Sequence, residues 1–292
     1  MLVEISLGDA FGSGFEFAKP EILATRKNDL TQYYPHNLPG HLPAGSYSDD
    51  TQMSIAIAEA LIEYDRWTPL GLADRFVNCY KRDPRNGYSR ALQGILDTVT
   101  TGEELLTTLV PTSNKCGAAM RSCPLGTIKH EDELLRRARI QAKITHDTKD
   151  GIFSSCAIAL ATHFFFHKNG SKDNLWNYMK NHPFPENRTE IWTELWHDKS
   201  HVSSDAIPCV KAAISAVVKS NTFSECLMRC VDYRGDVDSV AAMALGIASV
   251  IPNENEMKFD LPDNLISGLE NGKYGFNYLR NLDRLLLEKS RF

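Results

Sequence analysis

Two short acidic clusters carry the residue types best suited to chemistry in this chain. Ser48-Asp49-Asp50-Thr51 and Asp236-Val237-Asp238-Ser239 each stand just ahead of an apolar stretch with helical spacing. Serine and aspartate are common at helix N-termini because their side-chain oxygens accept backbone N–H groups that lack an intrahelical partner. One cap needs one acceptor, however, and each cluster offers two carboxylates with flanking hydroxyls. Hard divalent cations such as Mg2+ and Mn2+ favour six oxygen ligands, and paired ions about 3.5–4 Å apart are typically flanked by carboxylates. The four aspartates together carry a charge of about −4, which balances two such ions. Without cations, bringing them together raises each pKa through mutual repulsion. The chemistry expected is that of a two-metal centre, provided that two segments separated by most of the chain meet.

A third segment, Gly8-Asp9-Ala10-Phe11-Gly12-Ser13-Gly14-Phe15-Glu16, combines small residues with acids at both ends. By itself it reads as well as a glycine-bearing turn with a capping aspartate as it does as a ligand loop. No Gly-Lys-Ser/Thr follows, so it is not a phosphate-binding P-loop. His163 with His167, and His197 with His201, have the four-residue spacing of an imidazole metal pair, but no glutamate follows the first histidine, and both pairs read as packed or surface groups. Cys226 and Cys230 read as core thiols, Phe164-Phe165-Phe166 as packing, and Arg136, Arg137 and Arg139 as a solvated helix face. Seven cysteines with no CxxC pair fit reduced thiols in a cytoplasm, and zinc is not implied.

The elements that must position these groups are helical. Apolar residues recur at helical spacing over Gln52–Tyr64, Leu70–Tyr80, Arg90–Val99, Glu131–Lys143, Gly151–His167, Ile207–Lys219, Phe223–Val231, Val240–Val250 and Phe276–Leu287. No comparable run alternates as a strand would. The joints, such as Tyr33–Gly45, Pro111–Gly126 and Asn181–Pro185, are Pro- or Gly-containing without forming a long low-complexity linker. The expectation is an all-α, compact multi-helix bundle forming one domain over residues 1–292. A net charge of −5 offers no basic excess for nucleic acid. The most apolar run, Cys156 to Phe166, is broken by Thr162 and His163 and is too short to span a bilayer, and no leader peptide is read at the N-terminus. A cytoplasmic monomer without nucleic-acid or membrane partners is expected.

Taken together, these segments resemble the ADP-ribosylglycohydrolase family. Gly8 to Glu16 match its Gly-Asp-Ala-x-Gly-x-x-x-Glu motif, and Ser48 to Thr51 its Thr/Ser-Asp-Asp-Thr motif. Cys116 to Gly126 approach Asn-Gly-x-x-Met-Arg-x-x-Pro-Leu-Gly, Thr145-His146 the Thr-His motif, and Arg234 to Ser239 the Gly-Gly-Asp-x-Asp-Thr/Ser motif. The resemblance implies an all-α fold with a central cleft holding two Mg2+ or Mn2+ ions. Ser48, Asp49, Asp50, Asp236, Asp238 and Ser239 would be the ligands, with Glu16, Asp49 and Asp50 the catalytic carboxylates. Glu16 would lie on a loop over the scissile bond, and Ser113, Gly117 and His146 around the phosphates and ribose of ADP-ribose. The implied activity is removal of ADP-ribose from a modified protein side chain, arginine first, by cleavage at the ribosyl C1. Hydrolysis of a small ADP-ribosyl compound, or a non-catalytic ADP-ribose-binding role, are the alternatives. Three departures touch the substrate wall: Cys116 replaces the family's Asn, Lys115 a small residue, and Arg234 the first Gly of the last motif.

Overall fold

The computed structural model describes the chain except for residues 38–41, 64–66, 169, 185–188, 199, 253–254 and 291–292. Its helices are α1 (Leu2–Ser13), α2 (Pro20–Leu23), α3 (Asp49–Glu63), α4 (Pro69–Arg82), α5 (Arg90–Thr98), α6 (Gly102–Thr108), α7 (Gly117–Met120) and α8 (Glu131–Lys143). They continue with α9 (Lys149–Lys168), α10 (Lys172–Asn181), α11 (Ala206–Lys219), α12 (Phe223–Asp232), α13 (Val237–Ala248), α14 (Asp263–Gly268) and α15 (Phe276–Ser290). Among the described residues, extended pairing is confined to isolated bridges, and the protein is all-α. Each expected helical window falls on one of these helices, with ends shifted by a few residues. Tyr64, residues 38–41 of the Tyr33–Gly45 joint and Pro185 lie outside the described residues. Among the described residues no helix is long and apolar enough to cross a membrane.

Local chemistry explains several boundaries. Thr68, Ser89 and Thr222 cap α4, α5 and α12 by accepting a backbone N–H, and Thr101 with Glu104 forms a reciprocal capping box on α6. The amphipathic faces of α4, α5, α8 and α12 pack onto a hydrophobic cluster that runs from Leu2 to Leu286. The central helices differ: α1, α9 and α13 are buried along most of their length.

This burial accounts for one departure from expectation. The Gly8–Glu16 segment, expected as a glycine-bearing turn or a ligand loop, lies largely within α1, with Gly8 through Ser13 helical. Buried beyond its first turn, α1 has no continuous polar stripe to set a period, and its small residues serve a close crossing. A Cβ on Gly12 would lie 2.5 Å from the Cα of Asp238, and one on Gly8 would lie 2.5 Å from the carbonyl oxygen of Ala241. Four residues apart, the two glycines share one face, and α13 lies against it backbone to backbone. The same approach brings Asp9 beside the start of α13.

A methyl group placed in that crossing has no flexible side chain to displace. Gly12→Ala is expected to destabilise the fold by about 1–3 kcal/mol through overpacking. Gly94, exposed within α5 with nothing near its Cβ position, provides the contrast. Gly94→Ala should stabilise by about 0.5–1 kcal/mol through helix propensity. Urea unfolding of both variants checks the pair of signs.

Candidate active site

The start of α3 is held from outside its own sequence. Asp9, wholly buried in α1, accepts the Ser48 N–H at 3.0 and 2.9 Å through its two oxygens. It also accepts the Thr51 N–H at 3.0 Å and the Thr51 hydroxyl at 2.6 Å. Asp9 therefore satisfies the orphan donors that a capping residue would otherwise meet. Asp49 and Asp50 are thereby released from capping. The Ser48 hydroxyl donates to Asp50 Oδ2 at 3.2 Å, while the buried Asp50 Oδ1 has no hydrogen-bond partner among the described residues. Asp236 occupies the N-cap position of α13 but makes no capping hydrogen bond with its side chain. Its Oδ2 instead accepts from the thiols of Cys116 at 3.2 Å and Cys209 at 3.6 Å. Capping does not account for either acidic cluster.

The two clusters meet. Carboxylate oxygens of Asp9, Asp50 and Asp238 lie within 4.8 Å of one another, as do those of Glu16, Asp236 and Asp238, so that Asp238 joins both groups. Ser239 stands beside them, its Oγ 3.5 Å from the Cys116 sulfur. Asp49 is partly exposed at the edge, where Gly87 leaves it room: a Cβ there would sit 2.5 Å from Asp49 Oδ1. Glu16 lies beyond the end of α1, its Oε2 2.8 Å from His36 Nε2 and its carbonyl accepting the Asn37 amide at 2.5 Å. The next residue, Phe17, donates its N–H to the Gly235 carbonyl at 2.8 Å and so ties this loop to the turn before α13.

So many acids in one buried place oppose ionisation. Burial, reinforced by the neighbouring carboxylates, raises Asp49, Asp50 and Asp238 well above the ordinary range, and Asp236 is raised for the same reasons. Burial lifts Asp9 to about 6 against the opposing pull of its hydrogen bonds from Thr51 and Ser48. An all-oxygen donor set, an unpartnered buried carboxylate oxygen and crowded acids fit hard divalent cations.

The neighbouring wall contains the other expected residues. Cys116 precedes α7, and Gly117 faces His146 so closely that a Cβ would lie 2.8 Å from its Cε1. Thr112 bridges to His146, and the Thr148 hydroxyl donates to the Ser113 carbonyl at 3.0 Å. Burial and the nearby Arg121 lower His146 to about 3, so its ring is neutral. Arg121 is itself buried and donates through Nη2 to Thr145 Oγ1 at 2.8 Å. That hydroxyl lies 2.6 Å from His146 Nδ1. The hydroxyl accepts from Arg121 and keeps both a proton and a second lone pair for Nδ1, so the direction of that bond follows the tautomer of the neutral ring.

The departures also find places. Lys115 does not reach into the site; it pairs with Asp205 at 2.8 Å on the surface. Arg234 has φ +58, a left-handed conformation that glycine adopts without cost and other residues adopt at roughly 1–2 kcal/mol. The histidines set aside as ligands bond backbone carbonyls, His163 to Ile128 at 3.0 Å and His167 to Thr127 at 2.9 Å. Two residues at the centre were not expected there. Asp9 was visible in its motif but was read as belonging to a turn, whereas Cys209 has no signal in the sequence.

Fold and geometry define an all-helical protein with a buried carboxylate centre suited to divalent cations. A family model described as ADP-ribosylglycohydrolase matches residues 5–291, and the chain belongs to that family. It is 25% identical to the ADP-ribosyl-[dinitrogen reductase] glycohydrolase of Rhodospirillum rubrum, over 91% of this chain and 87% of that protein. It is 24% identical to the ADP-ribosylarginine hydrolase Tri1 of Pseudomonas putida, over 86% of this chain and 69% of its relative. A solved structure described as an ADP-ribosylglycohydrolase-related protein complex superimposes with a TM-score of 0.70 at 21% identity, covering 99% of this chain and 95% of that one. That likeness shows the fold.

The acidic centre has a consequence for stability. An unfolded aspartate releases its proton near 3.8, whereas folded Asp9 keeps it to about 6. Between those values the folded chain binds more protons, so stability falls as pH rises, by roughly 3 kcal/mol for Asp9 alone. The other raised carboxyls extend the fall to higher pH. Urea unfolding of chelator-treated protein between about pH 5 and 8 should show this loss. Mn2+ should restore stability most at the upper end; a flat profile in both conditions would contradict the crowding described.

Proposed function

We propose that this protein is a divalent-cation-dependent hydrolase that removes ADP-ribose from a modified protein side chain, with arginine the first acceptor to test. The observation that supports this reading best is that Asp238 joins two carboxylate groups, one with Asp9 and Asp50 and the other with Glu16 and Asp236, beside the unpartnered Asp50 Oδ1. Ser48, Asp49, Asp50, Asp236, Asp238 and Ser239 would hold two Mg2+ or Mn2+ ions. When bound, such ions supply positive charge that fixes ribose hydroxyls and acidifies a water. The remaining work falls to the chain's own groups.

Asp49 and Asp50 orient the attacking water and take up its proton, and their negative charge favours the oxocarbenium-like transition state at the anomeric carbon. Glu16, on the loop tied to Gly235, serves as the acid/base toward the leaving group. His146 presents Nε2 beside Gly117, where the tautomer protonated on that nitrogen donates to an oxygen of ADP-ribose, with Ser113 close by. Cys116 replaces an asparagine amide with a weak donor, so the grip on the ligand at that point is looser than in the family pattern. Residues 1–292 act as one such unit, a cytoplasmic monomer whose partners are ADP-ribosylated proteins and not nucleic acid or membrane.

Incubation with ADP-ribosyl-arginine and ADP-ribosyl-serine in Mg2+ or Mn2+ tests the substrate. Release from neither, with cation bound, would redirect the assignment to a small ADP-ribosyl compound; absence of bound cation would leave a non-catalytic relative. Asp50→Ala and Asp238→Ala should each lose Mn2+ binding and lower the rate by at least about 100-fold. Full hydrolysis by either variant would defeat the ligand assignment. Glu16→Gln separates chemistry from binding: kcat should fall by about 10²–10⁴ while Mn2+ remains bound.

A further inference from the structure

Beside the hard-oxygen centre lies a group of different chemistry. Cys116 stands at the N-terminus of α7, Cys209 in the first turn of α11 and Asp236 at the N-terminus of α13. Their sulfur and oxygen atoms all lie within 4.8 Å of one another. The Asp236 Oδ2 is 3.2 Å from the Cys116 sulfur and 3.6 Å from the Cys209 sulfur. A tetrahedral zinc ion with ordinary bond lengths separates a sulfur from an oxygen ligand by about 3.6 Å. The Cys209 distance equals that spacing and the Cys116 distance is about 0.4 Å shorter. Ser239 Oγ lies 3.5 Å from the Cys116 sulfur and adds a further oxygen beside the group.

Backbone bonds hold the three elements in register. The Cys116 N–H donates to the Ser204 carbonyl at 3.0 Å, and Val202 exchanges hydrogen bonds with the turn before α13, accepting from Asp236 N at 3.1 Å and donating to the Arg234 carbonyl at 3.0 Å. The segment from Val202 to Asp205 therefore fastens the Cys116 turn, the Asp236 turn and the entry to α11 to one another. The three donors converge without requiring the backbone to move.

We propose that Cys116, Cys209 and Asp236 form a binding site for one thiophilic divalent cation, Zn2+ or a soft analogue, distinct from the hard-cation pair and in competition with it for Asp236. Each thiol gives up its proton to solvent as its bond to the ion forms, and Asp236 and Ser239 or a water complete the set. Thiolates select zinc over Mg2+, which takes oxygen ligands. An ion here draws Asp236 toward sulfur and away from Asp238, so zinc inhibits the hydrolase. The site itself stands without the proposed activity; the inhibition rests on it.

Cobalt(II) added alone to chelator-treated protein in a phosphine reductant is the probe. Tetrahedral thiolate coordination gives intense visible bands and a sulfur-to-cobalt charge-transfer band, which oxygen-only octahedral sites lack. One such ion per chain is expected, displaced by Zn2+, with the charge-transfer band lost in Cys116→Ser and in Cys209→Ser and kept in Cys230→Ser. Cobalt K-edge absorption on the wild-type protein, expected to read two sulfur neighbours, decides the matter should a variant not fold. Bound cobalt without sulfur neighbours overturns the proposal, as does a band retained by both serine variants. In the activity arm, Cys209→Ser should need at least tenfold more Zn2+ for half-inhibition than wild type. A cobalt–thiolate band in a protein that hydrolyses neither ADP-ribosyl compound upholds the site while removing the proposed function.

Discussion

The centre of this protein depends on a backbone-to-backbone crossing between α1 and α13. With no side chain at Gly8 or Gly12, the two helices come into contact, and Asp9 reaches the start of α3 while standing beside Asp238. A single carboxylate then does the work of a cap for a helix far away in sequence. Because Asp9 takes the Ser48 and Thr51 backbone donors, the carboxylates of Asp49 and Asp50 are not used as caps, and Asp50 Oδ1 has no partner among the described residues. Had α3 capped itself with its own aspartates, the site would have lost the oxygens that make it acidic.

The arrangement has an electrostatic cost that the rest of the fold must bear. Buried carboxylates are hard to ionise, and each neighbour makes the next harder. The hydrophobic cluster surrounding α1, α9 and α13 holds the helices in place against this repulsion. Cations would turn the same crowding into a source of stability, since a group that binds only the folded state favours it. Folding and cation binding are thus expected to be coupled in this molecule.

The wall next to the carboxylates is built on a different logic. Arg121 is buried and spread over neutral acceptors: Gln141 Oε1 at 2.5 Å, the Gln141 carbonyl at 3.0 Å and Thr145 Oγ1 at 2.8 Å. It lies over the Phe76 ring at 4.6 Å. Burial lowers it to about 9, and the cation that remains fixes the Thr145–His146 pair. Positive charge held behind a neutral imidazole suits a surface that meets an anionic ligand, whereas the thiols of Cys116 and Cys209 add a soft corner to an otherwise hard centre.

Much of this was legible in the sequence, for reasons that are local. Helices with one wet face, such as α4 and α12, announce themselves through the spacing of their apolar residues, and the paired aspartates stand out because a helix cap uses only one acceptor. The motifs together carried the family, and with it the helical class. Tertiary structure decided the rest. α1 has no continuous polar stripe because it is buried beyond its first turn, so the spacing of its small residues does not announce a helix. The role of Asp9 and the meeting of Cys116 with Cys209 and Asp236 are contacts between distant segments. Nothing in the spacing of residues along a chain encodes them, because they exist only once packed helices bring those segments within a few ångströms of each other.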